Sequence, residues 1–119
     1  MKYIKRRSML TAEEVKELLL DLENERVERT ISTDNTEKFS QAICAFANDV
    51  CSTGLPGYLV IGAYDNGTLS RLKATDRLLK NLSSLRSEGN ILPAPSMSVY
   101  TVSFPEGDVA VIEVQPSKL

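Results

Sequence analysis

The segment Tyr58 to Ala63 constrains the fold more than any other part of the sequence. It is a continuous apolar run, Tyr-Leu-Val-Ile-Gly-Ala, without alternation of apolar and polar residues. Such a run is typical of a strand that is covered on both faces of a sheet. Asp65-Asn66-Gly67 follows and is a strong hairpin turn signal. The sequence therefore predicts a central strand over 58–63, with residues 68–72 returning as its hairpin partner.

Helical periodicity occupies three other stretches of the chain. Thr11 and Glu14 have the spacing of a capping box at the start of the first helix. The predicted helices cover 11–22, 37–51 and 75–87. Further strands are predicted over 25–31, 99–104 and 109–114. The fold class expected from this order is α+β, with three helices packed on a mostly antiparallel sheet.

The length of 119 residues and the mass of 13.1 kDa indicate one domain. We assign residues 1–10 to a basic N-terminal arm and 11–119 to the domain. Because the sequence stops just after a predicted strand, we expect it to be a fragment of a longer protein.

The net charge of −2 argues against a uniformly basic protein, but the charges are unevenly distributed. Residues 1–7 carry four bases and no acid, and residues 71–86 carry five bases and one acid. The stretch 8–31 instead carries seven acids and three bases. Basic segments of this kind can follow a phosphate backbone, or they can be a solvated helix face and a tail. The candidate nucleic-acid-binding residues are Lys5, Arg6, Arg7, Arg29, Arg71, Lys73, Arg77 and Lys80.

The absence of histidine excludes Ser-His and Cys-His catalysis and histidine-ligated metal sites. Cys44 and Cys51 lie seven residues apart in one predicted helix, too far for a disulfide. They are therefore interpreted as small side chains in a reducing cytoplasm. No apolar run approaches the roughly 18 residues that a membrane span needs, so no membrane association is expected.

The acidic residues suggest a metal site. Glu23, Glu25 and Glu28 surround one predicted strand, and Asp65 follows the central strand. If these strands are neighbours, Glu23, Glu28 and Asp65 can converge on Mg²⁺ or Mn²⁺, which prefer oxygen ligands. Glu23 and Glu28 are five residues apart, however, so in a regular strand they point to opposite faces. The alternative is ordinary surface acids, with Asp65 as a turn residue.

Three motifs resemble a known family. They are Glu23-x4-Glu28-Arg29, Ala42-x-Cys44-Ala45-Phe46-Ala47-Asn48, and Gly57-Tyr58-Leu59-Val60-Ile61-Gly62-x-x-Asp65-Asn66-Gly67. In this order they resemble the Schlafen/AlbA-like domain of bacterial proteins labelled transcriptional regulators or ATP-binding proteins. The segments 87–93 and 109–117 resemble a bacterial branch of the same family. The resemblance covers about residues 20–117.

The resemblance implies a nucleic-acid-binding module, on DNA or RNA, at the N-terminus of a longer regulator whose C-terminal domains lie outside this chain. It also implies that Glu23, Glu28 and Asp65 occupy the positions of the metal-dependent RNA-cleaving acids of animal Schlafens. Arg29-Thr30 stands where the family has Phe-Lys after the second glutamate, so the basic position is shifted. The loop 49–57 is longer than the family's Gly-Gly. Animal Schlafens pair two lobes, and a homodimer would restore the second lobe here.

Three functions are consistent with these observations. A nucleic-acid-binding module is preferred because the family resemblance coincides with two basic segments. A metal-dependent endoribonuclease that uses Glu23, Glu28 and Asp65 is the first alternative. A dimerisation or regulatory module, with its interface on the sheet edge formed by 99–114, is the second.

Overall fold

The computed structural model describes residues 9–49, 53–87 and 96–116. The helices are α1 (Ala12–Leu20), α2 (Thr36–Ala47) and α3 (Asp76–Ser83), and a 3₁₀ turn (Ser84–Ser87) continues α3. The strands are β1 (Val27–Thr30), β2 (Gly57–Ile61), β3 (Met97–Phe104) and β4 (Gly107–Val114). The predicted α+β class, with three helices on a mostly antiparallel sheet, is confirmed. None of the helices in these ranges is long and apolar enough to cross a membrane.

The four strands form one sheet in the order β1-β2-β4-β3. β1 pairs with β2 in parallel, and Val27 lies opposite Tyr58. β4 pairs antiparallel with β2 on one side and with β3 on the other. The sheet therefore has β2 and β4 in its centre and β1 and β3 at its edges.

Helices cover both faces of this sheet. α1 packs Val15 and Leu19 on one face, against a group that includes Val60 and Val111. α2 and α3 pack on the opposite face, and their buried side chains belong to one hydrophobic cluster with Leu59. The members that α2 and α3 contribute are Phe39, Ile43, Ala47 and Leu82. All five residues of β2 are buried, which confirms the prediction of a central strand covered on both sides.

Local signals set the beginnings of the helices. The capping box predicted at α1 is present: the Thr11 hydroxyl accepts from the N–H of Glu14, and the Glu14 carboxylate accepts from the N–H of Thr11. The side chain of Asn35 accepts from the N–H of Lys38 at the start of α2. Thr75 does the same for Leu78 at the start of α3. Each cap satisfies an N–H group that the helix itself cannot bond.

The prediction that residues 68–72 form a strand paired with β2 is wrong. The turn at Asp65-Asn66-Gly67 forms, since the N–H of Gly67 bonds the carbonyl of Tyr64. The returning segment then makes only two isolated bridges, Ala63 with Leu69 and Leu72 with Asp108. β2 is already flanked by β1 and β4, so the returning segment finds no free edge on it.

The ends of all three helices also differ from the prediction. α1 ends at Leu20 rather than at residue 22, and α3 changes to a 3₁₀ turn after Ser83. α2 ends at Ala47, with Asn48 as its C-cap. The part of the predicted second helix over 50–51, which includes Cys51, lies outside the described residues.

Candidate nucleic-acid interface

Four basic side chains are exposed on a short part of the chain. We call them the basic surface, and they are Arg71, Lys73, Arg77 and Lys80. Two of them lie on the loop before α3 and two on α3 itself. Within the described ranges, none of these side chains forms a salt bridge to a carboxylate at 4.0 Å or less. Their charges therefore face solvent, where an anionic partner can reach them.

The helical half of this surface is oriented by burial. Leu82 is buried and Leu78 is half-buried, and both join the core on the α2 face of the sheet. These leucines are four residues apart and therefore share one face of α3. Arg77 and Lys80 lie off that face, one turn apart, and both are exposed. The amphipathic pattern of α3 thus fixes the direction in which its two bases project.

The loop half is held by the first residues of β4. The backbone N–H of Asp108 donates to the carbonyl of Leu72 at 2.8 Å. The carboxylate of Asp108 accepts from the N–H of Ala74 at 2.9 Å. This second bond is the main reason that the pKa of Asp108 is below its usual value, and the Ser103 hydroxyl and the charge of Lys73 lower it further. Arg71 and Lys73 are therefore carried by a segment bonded to the sheet on both sides of Lys73.

Arg71 adopts a left-handed backbone conformation, with φ at 66°. Its backbone lies against Gly107, where a Cβ would come within 2.7 Å of the Arg71 Cα. Gly62 permits a second close approach, since a Cβ there would lie 2.8 Å from the carbonyl oxygen of Asp108. Glycine within a sheet often marks such a close approach of another backbone segment. A left-handed conformation is uncommon for a non-glycine residue and persists only where the surroundings enforce it.

Arg29 does not belong to the exposed basic surface. Its side chain is only 9% exposed. Its Nε atom donates to the carbonyl of Leu19 at 3.1 Å, and its Nη2 atom donates to the carbonyls of Leu18 and Asp21 at 2.9 and 3.0 Å. These carbonyls end α1, so Arg29 closes that helix and adds a favourable charge at its C-terminus. The sequence-based assignment of Arg29 to nucleic-acid contact is corrected: its hydrogen-bonding capacity is used inside the domain.

The three acids proposed as a metal site are not brought together. Glu28 lies on the α2 face of β1, beside a cavity of about 240 Å³ that Phe46 and Asp49 also line. Glu23 precedes β1 and lies in a separate depression with Thr53. Asp65 is exposed in the turn beyond β2. Because β1 and β2 are parallel, a residue before one and a residue after the other lie towards opposite ends of the strands.

No group of three or more Cys, Asp or Glu residues in the described ranges could hold a metal ion. Asp49, the other acid at the Glu28 cavity, bonds the backbone N–H groups of Thr53 and Gly54, and these bonds lower its pKa. The residues present therefore do not fit the Mg²⁺ or Mn²⁺ site expected from the sequence. The arm residues Lys5, Arg6 and Arg7 lie outside the described residues.

Comparison with known proteins decides the family. The family model described as Schlafen, AlbA_2 matches residues 23–119, which is most of the chain. The chain belongs to the Schlafen AlbA_2 family. The resemblance inferred from the sequence motifs is thereby confirmed. Among curated proteins, the comparison found no match.

A solved structure shares the fold of this Schlafen AlbA_2 domain. It is the solution structure of the N-terminal domain of a protein from Nitrosomonas europaea described as related to the ATP-dependent DNA helicase RecG. The two superpose with a TM-score of 0.61 and 22% sequence identity, over 92% of this chain and 76% of the other. At this identity the likeness establishes the architecture alone.

The motifs that identify the Schlafen AlbA_2 domain surround the sheet centre. Glu28 and Arg29 lie on β1, Ala42 to Asn48 on the second half of α2 and its C-cap, and Gly57 to Gly67 on β2 and its turn. Two residues with clear structural roles were missed by the sequence analysis. Asp108 has the pattern of an ordinary turn residue after Pro-Glu-Gly, and Arg29 has that of an exposed strand base. Nothing in the local sequence marks either as an anchor.

Proposed function

We propose that this Schlafen AlbA_2 domain is a nucleic-acid-binding module that contacts the sugar-phosphate backbone through the basic surface. The observation that supports the proposal most directly is the fixed presentation of Arg71, Lys73, Arg77 and Lys80. Two of these bases project from a loop bonded to β4, and two from the outward side of α3. Cationic groups on a fixed scaffold bind phosphates without first losing the conformational freedom of a mobile loop.

The basic N-terminal arm is part of the same proposal. Lys5, Arg6 and Arg7 add charge that a single strand can engage, in the way that basic arms supplement a folded module. We further propose that the module stands at the N-terminus of a longer cytoplasmic transcriptional regulator, and that it acts as a homodimer. The likeness to the N-terminal domain of a RecG-related protein is consistent with a role near nucleic acid.

Fluorescence anisotropy with labelled single-stranded DNA, single-stranded RNA and duplex DNA tests the proposal. Four phosphate contacts predict a slope of log K against log salt of about −3 to −4. Affinity is then expected to fall about 50- to 150-fold between roughly 50 and 200 mM salt. Deletion of residues 1–8 should weaken binding and make the slope shallower. Absence of binding at the lower salt concentration, with the arm present, would contradict the proposal.

The endoribonuclease alternative has no geometric observation in its favour, and it can be tested in the same preparation. RNA is incubated with the protein and Mn²⁺, in parallel with the Glu28→Ala variant. We expect equal, background cleavage from both proteins. Cleavage that depends on Mn²⁺ and disappears in Glu28→Ala would instead establish the nuclease.

A further inference from the structure

The two edges of the sheet differ in how they are protected against pairing with another strand. β1 has four residues and carries Glu28 and Arg29. β3 has eight residues, Met-Ser-Val-Tyr-Thr-Val-Ser-Phe, without a charge, a proline or a glycine. Soluble proteins usually protect an edge strand with charges, proline, a bulge or a short length. β3 has none of these protections.

The hydrogen-bond pattern identifies which backbone groups of β3 face outward. The N–H of Gln115 donates to the carbonyl of Ser96, so these two form a hydrogen-bonded pair. In an antiparallel ladder such pairs alternate with non-bonded ones. In the register that places Met97 opposite Val114, the even-numbered residues of β3 are therefore the ones whose backbone groups hydrogen-bond β4. The tight turn at Pro105-Glu106 agrees, because it is closed by the pair Phe104 and Gly107.

The odd-numbered residues therefore turn their N–H and C=O groups away from β4. These residues are Met97, Val99, Thr101 and Ser103. The carbonyl of Met97 accepts from Nη1 of Arg86 at 3.5 Å, so the beginning of the edge has a partner. Thr101 and Ser103 are exposed, and Val99 is half-buried. The outward groups of these three residues have no backbone partner among the described residues.

We infer that this edge pairs with the β3 strand of a second copy of the chain. The two strands run antiparallel, and a two-fold axis passes between the two copies of Thr101. In this register Thr101 faces its own copy and Val99 faces Ser103, each as a hydrogen-bonded pair. A second copy is favoured because a two-fold interface needs a self-complementary patch. The neutral side chains Thr101 and Ser103 bring no like charges together, and threonine pairs are favourable neighbours across strands. Arg86 ends the pairing at Met97.

This dimer would extend the basic surface. A two-fold axis perpendicular to the sheet keeps each face of the sheet on the same side in both copies. α3 packs against β3, so the two α3 helices would flank the junction on one face. That consequence rests on the proposed nucleic-acid function, whereas the strand pairing itself does not.

Sedimentation equilibrium of the full chain, without nucleic acid, tests the inference. We expect a monomer–dimer equilibrium between about 10 µM and 1 mM, a range suited to a small interface. Thr101→Pro removes an N–H that β4 does not use, and it should weaken the dimer about tenfold or more. Thr101→Val keeps the backbone donor and serves as the matched control, with dimerisation as in the original protein.

Circular dichroism of each variant verifies that the monomer is folded. If Thr101→Pro unfolds, Thr101→Lys replaces it, because it places like charges opposite each other at the axis. A strictly monomeric protein at the highest concentration, or a folded Thr101→Pro variant that dimerises normally, would overturn the inference. Salt-dependent nucleic-acid binding by a monomer would leave the proposed nucleic-acid contact through the basic surface intact, and a dimer that binds no nucleic acid would leave the inference intact.

Discussion

The carboxylate of Asp108 accepts a hydrogen bond from the backbone N–H of Ala74, thirty-four residues earlier in the sequence. The N–H of Asp108 donates to the carbonyl of Leu72, two residues before Ala74. An acid is therefore the anchor of a loop whose exposed side chains, Arg71 and Lys73, are both basic. This relationship separates the effect of charge from the effect of positioning.

We predict that Asp108→Ala weakens nucleic-acid binding, although it makes the protein more positive. Loss of the carboxylate frees the N–H of Ala74, so Arg71 and Lys73 lose their fixed positions. The matched control is Glu106→Ala, which removes an exposed acid from the same turn and should leave affinity unchanged or slightly raised. Anisotropy titrations of the two variants at one salt concentration measure the difference. Equal gains in affinity would show that charge alone governs binding.

The lowered pKa of Asp108 predicts a dependence of stability on acid. A group whose pKa is lower in the folded protein stabilises it above the unfolded pKa, and the contribution is lost as pH falls through the folded value. The pH range in which this stabilisation is lost therefore lies below 3.8, the ordinary pKa of the carboxyl group. Urea denaturation at pH 7 and at about pH 3 should show a smaller loss of stability for Asp108→Asn than for the original protein. Parallel losses would mean that the carboxylate contributes nothing.

Substitution of Arg29 is expected to change stability and leave binding intact. Arg29→Met leaves the carbonyls of Leu18, Leu19 and Asp21 without the guanidinium, at a cost of about 1–3 kcal/mol. Arg29→Lys keeps the charge at the helix end but lacks the forked N–H donors of the guanidinium, so its loss of stability should be smaller than that of Arg29→Met. Urea denaturation measures both. A variant of normal stability that binds nucleic acid weakly would indicate that Arg29 contacts nucleic acid.

Reversal of single charges on opposite faces of the sheet tests where nucleic acid binds. Arg77 is exposed on α3, and Lys16 is exposed on α1 across the sheet. Arg77→Glu is expected to weaken binding about tenfold and to reduce the salt slope by about 1. Lys16→Glu changes the net charge equally and should have a much smaller effect. Equal losses from the two variants would indicate binding driven by net charge rather than by the basic surface.

The sequence predicted those parts of the fold that local patterns determine. The capping box at Thr11 and the buried run at β2 both depend on neighbours within a few residues. The failures involve partners distant in sequence. Residues 68–72 contain a good hairpin pattern, but β1 and β4 occupy both edges of β2. Likewise, the spacing of Glu23, Glu28 and Asp65 is compatible with convergence only until the parallel pairing of β1 and β2 separates Glu23 from Asp65.

For the candidate interface, the sequence predicted which bases lie near each other but not what holds them. Arg77 and Lys80 follow from helical periodicity, as does their exposure. The bonds from Asp108 to Leu72 and Ala74 join positions with no common pattern, so they could not be foreseen. Arg29 was misassigned for the same reason, because its carbonyl partners belong to a helix eight or more residues away.

The position of β4 between β2 and β3 has a consequence for synthesis on the ribosome. β4 is the last strand along the described chain, yet it contributes to both hydrophobic layers and joins β2 to β3. Until residues 107–114 have left the exit tunnel, the pair β1 and β2 has no strand that connects it to β3 in the sheet. Folding is therefore expected to occur late and in one step, with the apolar β2 exposed to chaperones while translation proceeds.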